Sequence, residues 1–446
     1  MKDRVRINVS GIRGEVPGAL NVDLVSKFSS AFVSTLEKGQ VAVCRDSRST
    51  GGMFVMAVLS SVISGGFDGV DFGLLPTPFL QFLMGKEKYA GGITITGGHN
   101  PDSWNAVILL DTEGDYLDIT EGSEVFNIYE ARDFVKASWD DLGEIRPMAF
   151  PIDLYFEELS RFVDIGRIKE RKFKIVADPC NGSISPFLKD FRDFFGLDLI
   201  PINDNPSKPF PHPPEPSIEN ASQVEAVVAS TGADLGFLLN SDGSRLSFVS
   251  ENGRALSEEM TFPLALLSLK GRVEHAITTA VTSSWIEWAA QRIGIPLLRT
   301  KVGQSSVVHV MESMGAGVGG EGSGSVCLLD FSLGYDSMLT LALVLDFLAS
   351  EEISLSDLAA QFPKRHMHKI KVDVPPERTY RVMDRLEEIY AQENFDSTDG
   401  IRVERGGTWF NIRPSATEFV LRITIEGENP EAVESIEDEL KNRIRF

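Results

Sequence analysis

The chain has 446 residues, 42% of them hydrophobic and 24% charged. That is roughly three domain lengths of an ordinary folded composition, which excludes a disordered tail protein and a collagen-like fibre. Asp and Glu number 65 against 43 Lys and Arg, a net charge of -22, so nucleic acid and anionic membrane surfaces are poor partners. Any phosphate-bearing ligand needs a local cluster of Arg or backbone N–H groups, against the global field.

The three cysteines, Cys44, Cys180 and Cys327, are far apart and form no CxxC pair. No disulfide framework or zinc site is expected, and a reducing cytoplasm fits. The first residues, MKDRVRINVSG, lack an apolar signal-peptide core.

In chain order, three stretches share one pattern: a β-rich run, a polar turn, then a helical segment. They are residues 40–50 (QVAVCRDSRST), the run ending at Ser183 (KFKIVADPCNGS) and residues 275–285 (HAITTAVTSSW). Each is followed by a second, Gly-rich loop after a strand-like run, at residues 93–101 (ITITGGHNP), 235–245 (LGFLLNSDGSR) and 318–325 (VGGEGSGS). One reading is three unrelated βα units, with Gly97-Gly98 a tight turn before a helix. The sharper reading is three similar α/β domains, each offering one loop to a shared cleft at the carboxyl ends of strands.

Pro-bearing residues 145–151 mark a first junction, and residues 252–256 close a second unit. Residues 205–216 (NPSKPFPHPPEP) hold six prolines in twelve positions and read as a rigid loop inside that unit. Residues 338–348 read as a buried helix, too short to span a bilayer. Beyond residues 363–368 a strand (367–374), a helix (377–392), further strands and a helix from Pro430 make a small α+β unit. The expected domains are 1–150, 151–256, 257–366 and 367–446.

Five segments run in one order along the chain: SGIRG (10–14), RDSRSTG (45–51), TGGHNP (96–101), NSDGSR (240–245) with EGSG (321–324), and RPSATE (413–418). Together with GLLPTP (73–78) and PFPHPPEP (209–216), they resemble the α-D-phosphohexomutase superfamily of phosphoglucomutase, phosphomannomutase and phosphoglucosamine mutase. The resemblance implies an α/β fold: three similar mixed-sheet α/β domains and a smaller C-terminal α+β domain around a central cleft. It implies a phosphoserine that passes its phosphoryl group to a sugar phosphate. It also implies Mg²⁺ on a loop with three aspartates, and a fourth domain that holds the non-transferring phosphate.

Against that pattern the chain departs at several cooperating positions. The family's first loop reads T-A-S-H-N-P. Here Gly98 stands at the nucleophile position, with His99 retained, and glycine forms no phosphoester. Thr96 and Ser103 are the nearest hydroxyls in sequence, and either serves only if the loop moves. The metal loop reads D-G-D-x-D-R in the family and Asn240-Ser241-Asp242-Gly243-Ser244-Arg245 here, leaving Asp242 as a loop-stabilising acceptor or a partner of Arg245. Ile108 and Ser325 occupy the proton-transfer positions of a lysine and a histidine.

What persists is the binding apparatus. Arg413, Ser415 and Thr417 keep the phosphate loop's donors, although Ala416 replaces Gly and Phe419 replaces Pro. Glu321 and Ser323 remain for sugar hydroxyls, and Arg13, Arg45, Arg48 and Arg245 add positive charge. Taken singly, each Arg reads as a structural ion pair; Arg45, Asp46 and Arg48 can pair at a domain surface. His366 and His368 lack a third ligand, Trp285 and Trp288 read as core, and the Gly-rich run 315–325 lacks the context of a nicotinamide site.

The expectation is a phosphosugar-binding pseudoenzyme with a regulatory or partner role, taking a phosphorylated hexose or hexosamine, with a protein partner as a further candidate. No cofactor is expected. The alternatives are an active phosphohexomutase with altered machinery, which would use Mg²⁺, and a structural interaction protein with a vestigial cleft.

Overall fold

The computed structural model describes residues 6–8, 10–393, 395–415 and 420–444. They form four sheets, of seven, five, four and five strands. In the first sheet, Val- and Ile-bearing Gln40–Arg45 runs parallel to Asp68–Leu74 on one side and to Gly91–Ile95 on the other. Gly91–Ile95 then turns back antiparallel into Trp104–Leu110, which pairs with Gly11–Glu15. The second sheet repeats the scheme. Lys174–Asp178 is parallel to Leu235–Leu239, and Leu235–Leu239 turns back into antiparallel Leu246–Ser250. The third has Ala276–Thr279 parallel to Val318–Glu321, which turns back into Ser325–Leu328.

The three Gly-rich loops therefore occupy one topological position, the hairpin that reverses the last parallel strand. Residues 96–103 lead into a strand, so the expectation of a turn before a helix at Gly97-Gly98 is corrected. The reversal needs the left-handed backbone of Gly98 (φ +55°) and of Gly324 (φ +80°), where a β-carbon is strained.

The fourth sheet is antiparallel throughout, with Val420–Gly427 between His366–Asp373 and Thr408–Pro414. Helices Pro376–Tyr390 and Pro430–Ile444 complete this unit. It has its own core, from Val374 to Ile444.

The other sheets share one large core. Phe79 stacks on Phe150 (4.9 Å between centroids), meets Tyr155 at a tilt (4.6 Å) and Phe187 edge to face (5.2 Å). The Tyr155 hydroxyl donates to buried Asp336 at 2.9 Å, joining distant segments at one polar point. Helix Ser337–Ser350 is buried along most of its length, as its apolar run predicts. Trp285 and Trp288 are instead half-buried: Trp285 donates to the Pro363 carbonyl and Trp288 packs on Phe362, so they seal the approach to the fourth unit. The three cysteines are free and buried. Among the described residues no helix is long and apolar enough to cross a membrane.

Candidate functional site

Backbone hydrogen bonds tie the loops together. Thr77 N, from GLLPTP, donates to the Asp242 carbonyl at 3.1 Å, and Ser337 N to that of Gly243 at 3.2 Å. Leu246 N donates to the Gly324 carbonyl at 2.9 Å. The hairpin of the second sheet is thus tied to the GLLPTP segment of the first unit and to the hairpin of the third sheet.

At the first junction, loop 96–101 faces loop 240–245. A β-carbon on Gly98 would lie 3.5 Å from Asp242 Oδ2, so position 98 is aimed at the metal loop and carries no oxygen. Thr96 is fully buried, and its hydroxyl lies 2.7 Å from Asp46 Oδ2 and 3.1 Å from Asp242 Oδ2. It also accepts from Gly98 N at 2.9 Å. Ser103 is exposed, with its carbonyl bonded to Val16 N. Neither hydroxyl stands where the family's serine would.

Arg48 sits at the centre of this junction. It pairs with buried Asp46 and donates to Ser241 Oγ at 2.8 Å, to the Gly98 carbonyl at 3.1 Å and to the Asn100 carbonyl. The Phe210 ring, from the Pro-rich loop, lies 4.9 Å from its guanidinium carbon. Asp46 and Arg48 do pair, and the domain surface they pair at is buried against the second unit through Ser241. Arg45 donates to the Asp46 carbonyl at 2.9 Å.

The loop at 240–245 is closed on itself. Asp242 Oδ1 accepts from Asn240 Nδ2 (2.8 Å) and Ser244 Oγ (2.7 Å). Asn240 Oδ1 accepts from the N–H groups of Ser244 (3.0 Å) and Arg245 (3.1 Å). Asp242 is therefore a loop acceptor, while Arg245 pairs with Glu215 at 3.2 Å. Mg²⁺ demands octahedral oxygen, most of it anionic or water. Here the loop supplies one carboxylate whose oxygens are already used, and nearby Asp46 is paired with Arg48, so the residues do not fit the ion the resemblance implies. No group of three or more His, Cys, Asp and Glu side chains arranged for a metal occurs among the described residues.

Beside this junction lies a cluster of cations. Arg13, on the strand paired with Trp104–Leu110, has a buried Nε with no hydrogen-bond partner among the described residues. His99 is held well below its ordinary value of 6.5, first by Arg245, then by burial, Arg13, Arg422 and Arg48. Arg422 belongs to the fourth sheet, so that unit reaches over the first loop. Ile108 is buried in its strand opposite Gly11.

At the second junction, Glu321 ends its strand and accepts from the Tyr335 hydroxyl at 2.9 Å. Burial raises its carboxyl, opposed by Tyr335, Arg245 and Arg413. Ser323 and buried Ser325 share a hydrogen bond of 3.1 Å. Arg413 ends strand Thr408–Pro414 and has a long ion pair with Asp399, 3.8 Å from Nε to Oδ2. The same Asp399 oxygen accepts from Val302 N at 3.0 Å. Ser415 N donates to the Val420 carbonyl, and its hydroxyl accepts from Arg422 Nε at 3.2 Å. Thr417 lies outside the described residues.

The structure thus brings Gly98, Asp242, Arg13 and His99 to the first junction and Glu321, Ser323 and Arg413 to the second, with Arg245 acting on both His99 and Glu321. The sequence reading missed Tyr335, Asp399, Arg422 and the bonding role of Ser241. It also missed Glu426, which is buried and accepts from Trp409 Nε1 at 2.6 Å, Ser284 N and Ser283 Oγ, pinning the fourth sheet to the third. Ser241 was visible as an extra hydroxyl in a loop position that is glycine in the family's pattern. The others sit in ordinary strand or turn contexts with no local signal.

The family models agree with this architecture. Residues 4–136, 153–253 and 262–366 match phosphoglucomutase/phosphomannomutase alpha/beta/alpha domains I, II and III, and residues 370–443 match the C-terminal domain. A "Phosphoglucomutase/phosphomannomutase" of Thermococcus kodakarensis is 32% identical over 94% of each chain. A "Probable phosphoglucosamine mutase" of Pyrococcus abyssi is 29% identical over 98% of this chain and 97% of its own. The crystal structure of a phosphoglucomutase/phosphomannomutase family protein from Burkholderia thailandensis superposes with a TM-score of 0.83 at 23% identity, covering 98% of this chain and 96% of that one. With all four domain models matched in order around the cleft just described, the chain belongs to the phosphoglucomutase/phosphomannomutase family.

Proposed function

We propose that this protein recognises a phosphorylated hexose or hexosamine and does not relay its phosphoryl group through a residue of loop 96–101. The observation that carries the reading is position 98. The backbone there aims at Asp242, as a phosphoryl carrier's would, yet the residue is glycine. The two nearby hydroxyls are committed elsewhere, Thr96 to two carboxylates and Ser103 to the surface. In this reading Arg413, Ser415 and Thr417 hold the phosphate, and Glu321 and Ser323 meet sugar hydroxyls. The physiological role is regulatory or that of a partner subunit, in the cytoplasm.

An active phosphohexomutase is the second reading, favoured by the names of relatives that match nearly the whole chain. It needs a phosphoryl carrier other than position 98. The deciding experiment is interconversion of the 1- and 6-phosphates of glucose, mannose and glucosamine, with Mg²⁺ and a hexose bisphosphate primer. The expected result is no turnover above a blank. Primer-dependent turnover that is lost in Arg413→Ala overturns the proposal. Calorimetry with the same sugars tests recognition: no binding below millimolar concentration moves the interaction-protein reading ahead.

A further inference from the structure

We propose that the Arg48 guanidinium is a built-in counter-cation for the carboxylates at the first junction, admitted by Gly97 and anchored by Ser241, and that it does the holding a divalent metal would otherwise do. The inference stands whether or not a sugar binds.

Asp46 and Asp242 are nearly fully buried, and both aim Oδ2 at the Thr96 hydroxyl, at 2.7 and 3.1 Å. Thr96 has one proton for two acceptors, so the carboxylates require positive charge close by. Arg48, with no exposed side-chain surface, is ion-paired to Asp46. Its other nitrogen reaches the carbonyls of Gly98 and Asn100. The guanidinium therefore neutralises a carboxylate and fastens the backbone of loop 96–101 with one planar group.

Two residues of this chain make room for it. A β-carbon on Gly97 would lie 2.7 Å from Arg48 Cζ, 2.8 Å from Nε and 2.9 Å from Nη2. Alanine, the residue of the family's T-A-S-H-N-P pattern, collides with Arg48 in this position. Ser241, where that pattern has glycine, supplies a hydroxyl 2.8 Å from Arg48 Nη1, 2.9 Å from Asp46 Oδ2 and 2.8 Å from the Gly98 carbonyl. Loss of carboxylates at positions 240 and 244 lowers the charge to be balanced, and a single guanidinium then suffices beside the field of Arg13, which also acts on Asp242. Mg²⁺ sheds water reluctantly and gains little from oxygens already bonded.

The test is thermal melting of the full chain in EDTA and in millimolar MgCl₂ at matched ionic strength. A ligand of the native state raises the melting temperature with the logarithm of its concentration. The parent is expected to melt identically in both. Arg48→Gln uncovers Asp46 and Asp242, so it should melt lower in EDTA and regain part of the loss as magnesium rises. Gly97→Ala, which keeps the arginine but pushes it out, should show the same pattern in weaker form and decides the matter if Arg48→Gln does not fold. A magnesium-dependent rise in the parent, or folded variants whose melting ignores magnesium, overturns the proposal.

Discussion

The two ends of the cleft differ in how their polar groups are spent. At the junction of loops 96–101 and 240–245, Asp46, Arg48, Thr96, Asn240, Ser241, Asp242 and Ser244 bond to one another, and Arg48 Nε alone of their buried polar atoms has no partner among the described residues. At the junction of Glu321 with Arg413, the guanidinium has Asp399 at 3.8 Å. Charge-assisted hydrogen bonds form at about 2.7–2.9 Å, so among the described residues Arg413 has donors to spare for an incoming anion. The carboxylates of the first end are bonded inward, with only the Nε atoms of Arg13 and Arg48 unpartnered among the described residues, while the second end keeps an arginine held by one long ion pair. Chemistry that needs groups free to change partners is therefore hardest to restore at the first end, and recognition is easiest to abolish at the second.

The largest effect expected from breaking this contrast is at Arg413. In calorimetry with a hexose phosphate, Arg413→Ala should lose on the order of 1.5–3 kcal/mol of affinity, the usual worth of a hydrogen bond to a charged group. Ser241→Ala, at the closed end, should leave that affinity unchanged and lower the melting temperature. Equal affinity losses from the two would erase the distinction between the ends.

Local pattern revealed much of this and missed a definable part. The mixed-sheet units were legible because Val- and Ile-bearing runs such as QVAVCR end in Gly-rich reversals, and the glycines mark where the backbone turns left-handed. Gly98 and the altered 240–245 loop were legible as sequence. Who bonds to whom was not. Arg48 and Ser241 are 193 residues apart, and nothing local says that a vacated β-carbon at Gly97 gives Arg48 its place. Glu426 and Asp399 act across the third and fourth units, where each has a partner in a backbone N–H that any sequence supplies.

Gly98→Ser is the next test in size. The space exists, since the added β-carbon meets Asp242 Oδ2 at an ordinary 3.5 Å. A non-glycine residue at φ +55° costs about 1 kcal/mol, so the variant should melt slightly lower. It should not turn over sugar phosphates, because a phosphoryl group there would face Asp242 with no fitted metal between them. Turnover restored by this change alone would show that the closed end opens readily.

Tyr335→Phe probes the open end more gently. Removing the hydroxyl that supports the Glu321 carboxylate should weaken sugar binding by about 1 kcal/mol. Burial already raises this carboxyl above its ordinary 4.5. The ionised form, which accepts from sugar hydroxyls, is lost as pH falls through the raised value. The acid limb of affinity should therefore lie above pH 4.5 in the parent and move higher still in the variant. An acid limb that does not move would remove Glu321 from the binding surface.

The smallest effect concerns protons at His99. Arg245, burial, Arg13, Arg422 and Arg48 depress its pKa well below 6.5, so the imidazole is neutral near neutral pH. By linkage, protonation of the unfolded chain's histidine as pH falls through 6.5 draws stability away from the native state. An anion among those cations reverses the pressure and raises the pKa. A hexose bisphosphate carries a second phosphate that a monophosphate held by Arg413 lacks, so it brings more negative charge to the cations around His99. Calorimetry of each ligand in buffers of differing ionisation enthalpy should then show a larger His99-dependent proton uptake for the bisphosphate than for the monophosphate. His99→Gln should abolish the uptake while leaving monophosphate affinity intact. Equal uptake with both ligands would mean that the monophosphate also reaches the closed end, and the division of labour between the two ends would fail.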